Sequence, residues 1–433
     1  MAIRRTRRAI WIAAALTSTL LSVSARPVPA WAASGDLDPA FGEGGMVIAG
    51  CSVWEDESFG CLGGYAGRLY DVEVRSDGRI VAVGARQRAH TTFAVVRQFA
   101  SGASDTSFGR VGRVLTRFAH PSAAFAMAFD ADGSVVAAGS SAKGPGGSRD
   151  TDPGASFALA RYSEDGDLDR TFTGNGRVRT SFGQARAAAY AVAVQDDGKV
   201  VAAGLAGRAF AMARYGIDGV LDPTFGSEGK VRAHFLDRTV ESSASAIHIL
   251  RRGRILVAGV ACDASACNLV VARFLSDGTA DAAFGSAGSV LVPVRDHSRV
   301  DMAVASDGAI VVGAGRLLMR FRPDGVLDGS FSDDGIVETP ASASGVGILA
   351  DGGIVVTGPF RYEPWSFDTV RFDADGRRVR RFGDGGTASA PFPGFDSVGY
   401  GLTVQPDGAI VVVGTTSDIN IDGRFALARF LAT

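Results

Sequence analysis

The segment YAVAVQDDGKVVAAGLAGRAFAMARYGIDGVLDPTFGSEGKVRAHF, Tyr190–Phe235, carries four strand-like runs in a single unit. YAVAVQ alternates apolar and polar residues and ends at Asp-Asp-Gly. KVVAAG is a short apolar run closed by glycine. FAMARY alternates again, and GKVRAHF closes the unit. A period of two is the signature of a strand. Asp-Gly between two apolar runs predicts a hairpin, here expected to be a type I′ turn with positive φ at both central residues.

Outward from this unit the pattern repeats. The hairpin glycine recurs at Gly78, Gly133, Gly198, Gly253, Gly308, Gly352 and Gly408. The arginine of the Ala-Arg-Tyr run recurs at Arg97, Arg161, Arg214, Arg273, Arg320, Arg371 and Arg429. Four strands in a period of about 40–55 residues are the dimensions of a β-propeller blade. With strands lettered a to d from the axis outward, the last unit has a, b and c only: YGLTVQ, AIVVVG and FALARF. Its missing part stands at the other end, in SGDLDPAFGEGGMV, Ser34–Val47. The sequence thus predicts an all-β, seven-bladed β-propeller over residues 33–433, with four antiparallel strands per blade. The amino-terminal strand joins the carboxy-terminal blade and closes the ring, which removes the exposed edges of an open array.

The composite motif DG(K/R), apolar run, G, then F-A-x-A-R-Y-x-x-D-G-x-L-D-x-x-F-G-x-x-G-x-V is best kept in Phe157–Val178 and Phe210–Val231. It resembles the delta-60 repeat family of exported bacterial proteins, over essentially all of residues 33–433. The resemblance implies a β-propeller of unassigned function and brings no catalytic residues. Two departures stand out: Val379–Arg380 replaces Leu-Asp, and Arg252 replaces the hairpin aspartate.

Residues 1–32 read as a signal peptide: basic MAIRRTRR, an apolar stretch, then Ala-Trp-Ala at Ala30–Ala32 as a small-x-small cleavage site. Arg-Arg-Ala-Ile-Trp also loosely resembles a twin-arginine signal. Removal of the leader leaves 39 basic against 46 acidic residues, a net charge of −7. That balance offers no field for nucleic acid, and no second apolar stretch long enough to span a membrane follows. The chain is therefore expected to be exported, to periplasm, cell surface or medium, and to be a monomer. The four cysteines form two local pairs, Cys51 with Cys61 and Cys262 with Cys267, and in an exported chain such pairs read as loop disulfides. A zinc site would need all four to meet.

A residue repeated in every blade is expected to be structural. The repeated arginine is expected to pair with the Asp of Leu-Asp, or with loop carbonyls, and so to pin the c–d connection. Stretches such as Asp130–Gly133, Glu164–Asp169 and Asp373–Gly376 faintly resemble calcium loops, but hairpin chemistry explains them.

Function is expected where the units differ. The b–c and d–a loops share one face, which holds nearly all the irregular segments. Trp54, Trp365, Phe392 and Phe395 lie on loops of adjacent blades there and are candidates for a platform for sugar rings or a peptide. A second candidate site is the axial channel. Seven and five residues before the hairpin glycine most blades have Ala, Gly or Thr, whereas blade 1 has Asp71 and Glu73, blade 4 has His248 and blade 5 has Asp301. No Ser-His-Asp order, metalloprotease helix or phosphate loop is present. The leading expectation is a non-enzymatic exported propeller, without cofactor, that binds a glycan, peptide or surface protein through its irregular face. A lyase- or lactonase-like enzyme with a polar or metal axial site is the runner-up, and a purely structural surface module is the third reading. Convergence of Asp71, Glu73, His248 and Asp301 discriminates between the first two.

Overall fold

The computed structural model describes residues 33–432, apart from 49–51, 54–58, 61–66, 87–90, 143–153, 184, 237–240, 296–298, 360–364 and 419–420. It contains seven four-stranded antiparallel sheets, and each is one blade. The innermost strands, a, run in order from blade 1 as Gly67–Val74, Ser122–Phe129, Ala187–Val194, Glu241–Ile249, Val300–Val304, Gly345–Ile348 and Asp396–Val404. Blade 1 continues outward through Ile80–Arg86, Thr92–Gln98 and Arg113–Thr116. Blade 7 continues through Ile410–Asp418 and Ile421–Phe430, and its outermost strand is Met46–Ile48 from the other end of the chain. Met46 faces Ala428 and Ile48 faces Ala426, so the terminal clasp forms as the sequence predicts.

Each b strand is buried along nearly its whole length, because adjoining blades cover both faces of the sheet. Runs such as Ile-Val-Ala-Val and Val-Val-Ala-Ala follow: a doubly covered strand reads as continuous apolar sequence, without alternation. The a–b turns differ from the expected type I′. Gly78 donates its N–H to Arg75 O at 2.9 Å, and Arg75 donates to Arg79 O at 2.8 Å. Only the glycine has positive φ, 83° at Gly78, and Asp77 does not. This is a type I turn followed by a left-handed glycine, the three-residue hairpin loop. The aspartate has a separate role, since its Oδ1 accepts the N–H of Arg79 at 3.0 Å. Blade 4, with Arg252 at the aspartate position, has positive φ at both residues, 66° and 68°.

The blades are joined on the face of the a–b and c–d turns by one device used seven times. The N–H of the residue after the Phe of the Phe-Gly turn donates to a carbonyl in the next blade's c–d turn. The pairs are Gly109 to Asp165, Thr173 to Asp218, Gly226 to Asp277, Gly285 to Asp324, Ser332 to Asp375, Gly383 to Ser34 and Gly42 to Ser101, at 2.7–2.9 Å. The Phe itself is fully buried and packs against the turn glycine of the next blade. A Cβ on Gly219 would lie 2.8 Å from the Phe172 ring, and φ there is +77°, so space and backbone both require glycine.

The repeated arginine completes this joint. Its Nε donates to the expected aspartate: Arg97 to Asp105 at 2.7 Å, Arg161 to Asp169 at 2.6 Å, Arg214 to Asp222 at 3.0 Å, Arg273 to Asp281 at 2.7 Å and Arg320 to Asp328 at 2.7 Å. Arg429 approaches Asp38 at 3.2 Å across the clasp. A terminal nitrogen then crosses to the next blade: Arg273 to Pro323 O at 2.7 Å, Arg429 to Ala100 O at 3.0 Å, and Arg97 and Arg214 to the carbonyls of Glu164 and Ser276. The guanidinium also lies 4.6–5.0 Å from the centroid of the Phe ring in five blades. The two sequence alternatives, aspartate or loop carbonyl, are therefore used together.

Blade 6 lacks the aspartate, and the structure shifts the expected departure by one residue. Arg378 and Val379, not Val379 and Arg380, stand where Leu-Asp does elsewhere, since Phe372 bridges Arg378 as Tyr215 bridges Leu221, and Val379 donates its N–H to Arg371 O as Asp222 does to Arg214 O. Arg371 instead reaches Asp351 Oδ2 at 2.5 Å and the carbonyl of Ala432. Its Nε is buried without an acceptor among the described residues. Arg214→Met should destabilise the fold by about 3 kcal/mol, because Asp222 loses its buried partner; chemical denaturation measures this, and an unchanged midpoint would refute the structural role. Conversely, Val379→Asp supplies the carboxylate that the other blades have and should stabilise by about 1 kcal/mol, seen as a raised melting temperature.

Candidate functional site

The seven a strands surround an axial cavity of about 680 Å³. Its chemistry originates in a bulge. The b-strand apolar run ends in glycine six residues after the hairpin glycine, at Gly84, Gly139, Gly204, Gly259, Gly358 and Gly414. A Cβ on Gly139 would lie 1.8 Å from Ala123 O, and on Gly84 1.9 Å from Arg68 O. Without a side chain there, strand a sinks onto strand b and gains one unpaired residue in five of these blades, while in blade 6 the pairing of Gly345–Ile348 with Ile354–Thr357 carries no shift. The register shifts fall at Leu69/Asp71, Ala124/Ala126, Ala189/Ala191, Ala244/Ala246 and Gly399/Gly401. The extra residues are Tyr70, Phe125, Tyr190, Ser245 and Tyr400, and all of them line the cavity. Blade 5 has Ala314 where the others have glycine, and its strand pairs Val300 with Ala314 and Asp301 with Gly313 without a shift.

Four adjacent blades thereby present aromatic rings in an arc. Ring centroids are 5.7 Å apart for Tyr400–Tyr70, 5.3 Å for Tyr70–Phe125 and 5.4 Å for Phe125–Tyr190. The Arg299 guanidinium extends across the mouth to lie 5.4 Å from the centroids of both Tyr70 and Tyr400. Arg68 hydrogen-bonds Tyr70 on the same rim, while burial pushes the Tyr70 phenol above its ordinary range. The strand direction places this mouth on the face of the b–c and d–a loops, the irregular face.

Below the arc lie the polar residues read from the sequence. Asp71 and Asp301 act alike. Asp71 Oδ2 accepts the N–H of Met127 at 2.8 Å, and Asp301 Oδ2 accepts the N–H of Val346 at 2.7 Å. Each thus ties its strand a to that of the next blade. Enclosure in the channel raises both carboxyls to about 6, and Asp301 adds repulsion at Asp71. Burial raises Glu73 further, to about 8, with the charge of Asp71 adding to it. His248 faces the lumen, and the surrounding protein lowers its imidazole below the ordinary histidine range. Among the described residues no three His, Cys, Asp or Glu side chains come together as a metal site.

The rim residues separate. Trp365 is 38% exposed, and its carbonyl accepts both the N–H and the Oγ–H of Ser397. Phe392 is 3% exposed and packs edge-on to Phe367 at 5.0 Å, so its ring belongs to the blade core. Phe395 is covered by the Arg424 guanidinium at 4.9 Å. Cys262 and Cys267 form a disulfide across the b–c hairpin of blade 4. Trp54, Cys51 and Cys61 lie outside the described residues.

Segments 195–225, 253–284 and 405–433 match the family described as domain of unknown function (DUF5122) beta-propeller. No curated protein matches the chain. Solved structures are similar to the chain at low identity. A protein of unknown function from Dyadobacter fermentans is 11% identical, covering 89% of this chain and 98% of its own, with a TM-score of 0.45. The polysaccharide lyase Uly1 is 10% identical, covering 84% and 90%, with a TM-score of 0.47. A gluconolactonase from Xanthomonas campestris is 14% identical, covering 75% and 92%, with a TM-score of 0.37.

A carboxyl raised by the fold holds its proton more tightly when folded, so the folded state loses stability as pH climbs from the ordinary glutamate value of 4.5 through about 8. Glu73→Gln removes that loss. The variant should melt above the native chain at pH 9 and alongside it at pH 4, as differential scanning calorimetry would record; a pH-independent difference would contradict the raised value.

Proposed function

We propose that this chain is an exported, ligand-binding β-propeller that takes its ligand in the mouth of the axial channel on the irregular face. The observation that carries the reading is the arc Tyr400–Tyr70–Phe125–Tyr190, four rings placed by one backbone device around an open cavity. Half-buried rings around a cavity lined with hydroxyls suit a ligand with flat apolar faces and polar edges, as a glycan has. The Cys262–Cys267 disulfide fits export through the leader at residues 1–32. The repeat motif supports placing the chain with the delta-60 repeat proteins. Trp365, on the same face, is available to extend the site.

Binding is favoured over catalysis because Asp71 and Asp301 are engaged with backbone amides of neighbouring blades. The enzyme reading keeps one observation in its favour. Glu73, raised to about 8, is a protonated acid beside the lumen at neutral pH.

Isothermal titration of the whole chain with neutral and acidic oligosaccharides tests the proposal. Phe125→Ala and Tyr190→Ala should each weaken binding roughly five- to ten-fold, at about 1 kcal/mol per aromatic contact, with little change in melting temperature. Binding that ignores both substitutions would place the ligand elsewhere, and slow release of reducing ends from a bound oligosaccharide would favour the enzyme.

A further inference from the structure

Arg299 is the cation of the mouth with unused capacity. It is exposed at the entrance to strand a of blade 5. Blade 5 is also the blade whose Ala314 excludes the bulge, so at this point of the rim no bulge residue projects. The guanidinium instead lies 5.4 Å from the ring centroids of both Tyr70 and Tyr400, which stand on other blades of the rim. Among the described residues no carboxylate or carbonyl accepts a hydrogen bond from it, although its charge acts on Asp71 and Asp301 below and favours their ionised forms. A guanidinium placed over ring faces keeps N–H donors for a further partner, and its planar fork matches the two oxygens of a carboxylate. Arg68 adds a second exposed cation on the same rim.

The rest of the mouth narrows the ligand. Arg299 occupies the Tyr70–Tyr400 end of the arc, which leaves the Phe125–Tyr190 end for the C–H face of a ring. Ser243, Ser245 and Ser344 offer hydroxyls on the far wall. A hydroxyl wall opposite an aromatic wall suits a polyhydroxylated ring better than a peptide side chain, which would need an apolar pocket.

Resting on the channel-mouth reading above, we propose that the ligand is an acidic glycan, with the carboxylate of a uronate residue forked by Arg299 and its ring stacked on Phe125 and Tyr190. The acids Asp71 and Asp301 sit one residue deeper and are turned to the amides of Met127 and Val346, so the anion meets cations first.

The test is calorimetric titration of the full chain with trisaccharides of galacturonate, glucuronate and mannuronate, with their carboxyl-reduced counterparts, and with a short glutamate peptide. At least one uronate trisaccharide should bind, and its carboxyl-reduced form should bind about ten-fold or more weakly. Arg299→Gln should remove that preference while leaving the melting temperature unchanged, and Arg299→Lys should restore part of it. Equal binding of acidic and reduced sugars, sensitive to Phe125→Ala but not to Arg299→Gln, would overturn this inference and leave the binding reading standing. Arg299-dependent binding of the glutamate peptide alone would overturn the saccharide. Silence towards every sugar and the peptide would overturn both proposals.

Discussion

The ring depends on the joint between successive c–d turns. A single propeller blade is a small sheet with two apolar faces, and it is stable only when both are covered. Covering them requires each blade to meet the next at a fixed distance and angle. The Phe, the opposing left-handed glycine, the backbone bond beside them and the forked arginine set both. The clasp uses the same parts: Gly383 donates to Ser34 on one side and Gly42 to Ser101 on the other. The split blade is therefore held by the contact that holds every intact pair, and closure of the circle needs no special interface.

Division of labour between the two faces follows. The face of the a–b and c–d turns carries the joint and repeats closely. The opposite face carries little of the joint's chemistry, so its loops vary, and the channel opens there through the bulged residues. Deeper in the channel, Asp71 and Asp301 are anions that brace neighbouring blades. Their raised affinity for protons is the electrostatic cost of using carboxylates as acceptors in an enclosed space.

The ring, its seven units, the clasp and the arginine's partners were legible in the sequence because each recurs with the repeat. The type I′ turn was not. Asp-Gly fits both hairpin types, and a longer turn lets aspartate cap the following amide instead of adopting positive φ. The aromatic arc was missed for a physical reason. Counting by twos from the hairpin glycine puts residues seven and five positions back, such as Asp71 and Glu73, on the channel face, and hides the residue eight back. A bulge breaks that count, and brings Tyr70 to the lumen beside Asp71. Its marker was present in the sequence as the glycine ending the b strand of every bulged blade, and Ala314 takes that place in blade 5. Phe392 shows the converse error, because a loop aromatic in a Pro-rich stretch looks exposed until its partner, Phe367, is in place.

The bulged residue is outside the pairing ladder, so it contributes little to register. Exchange of Tyr for Phe or Ser at that point, as among Tyr70, Phe125 and Ser245, leaves the glycine below and the strand pairing as they were. Duplication of a blade therefore copies a scaffold together with one nearly silent position aimed at the axis. Mutational drift at these positions alters the lining of the mouth one blade at a time, while the arginine, phenylalanine and turn glycine remain under the constraint of folding. A lineage of such rings can change its channel lining without passing through an unfolded ancestor.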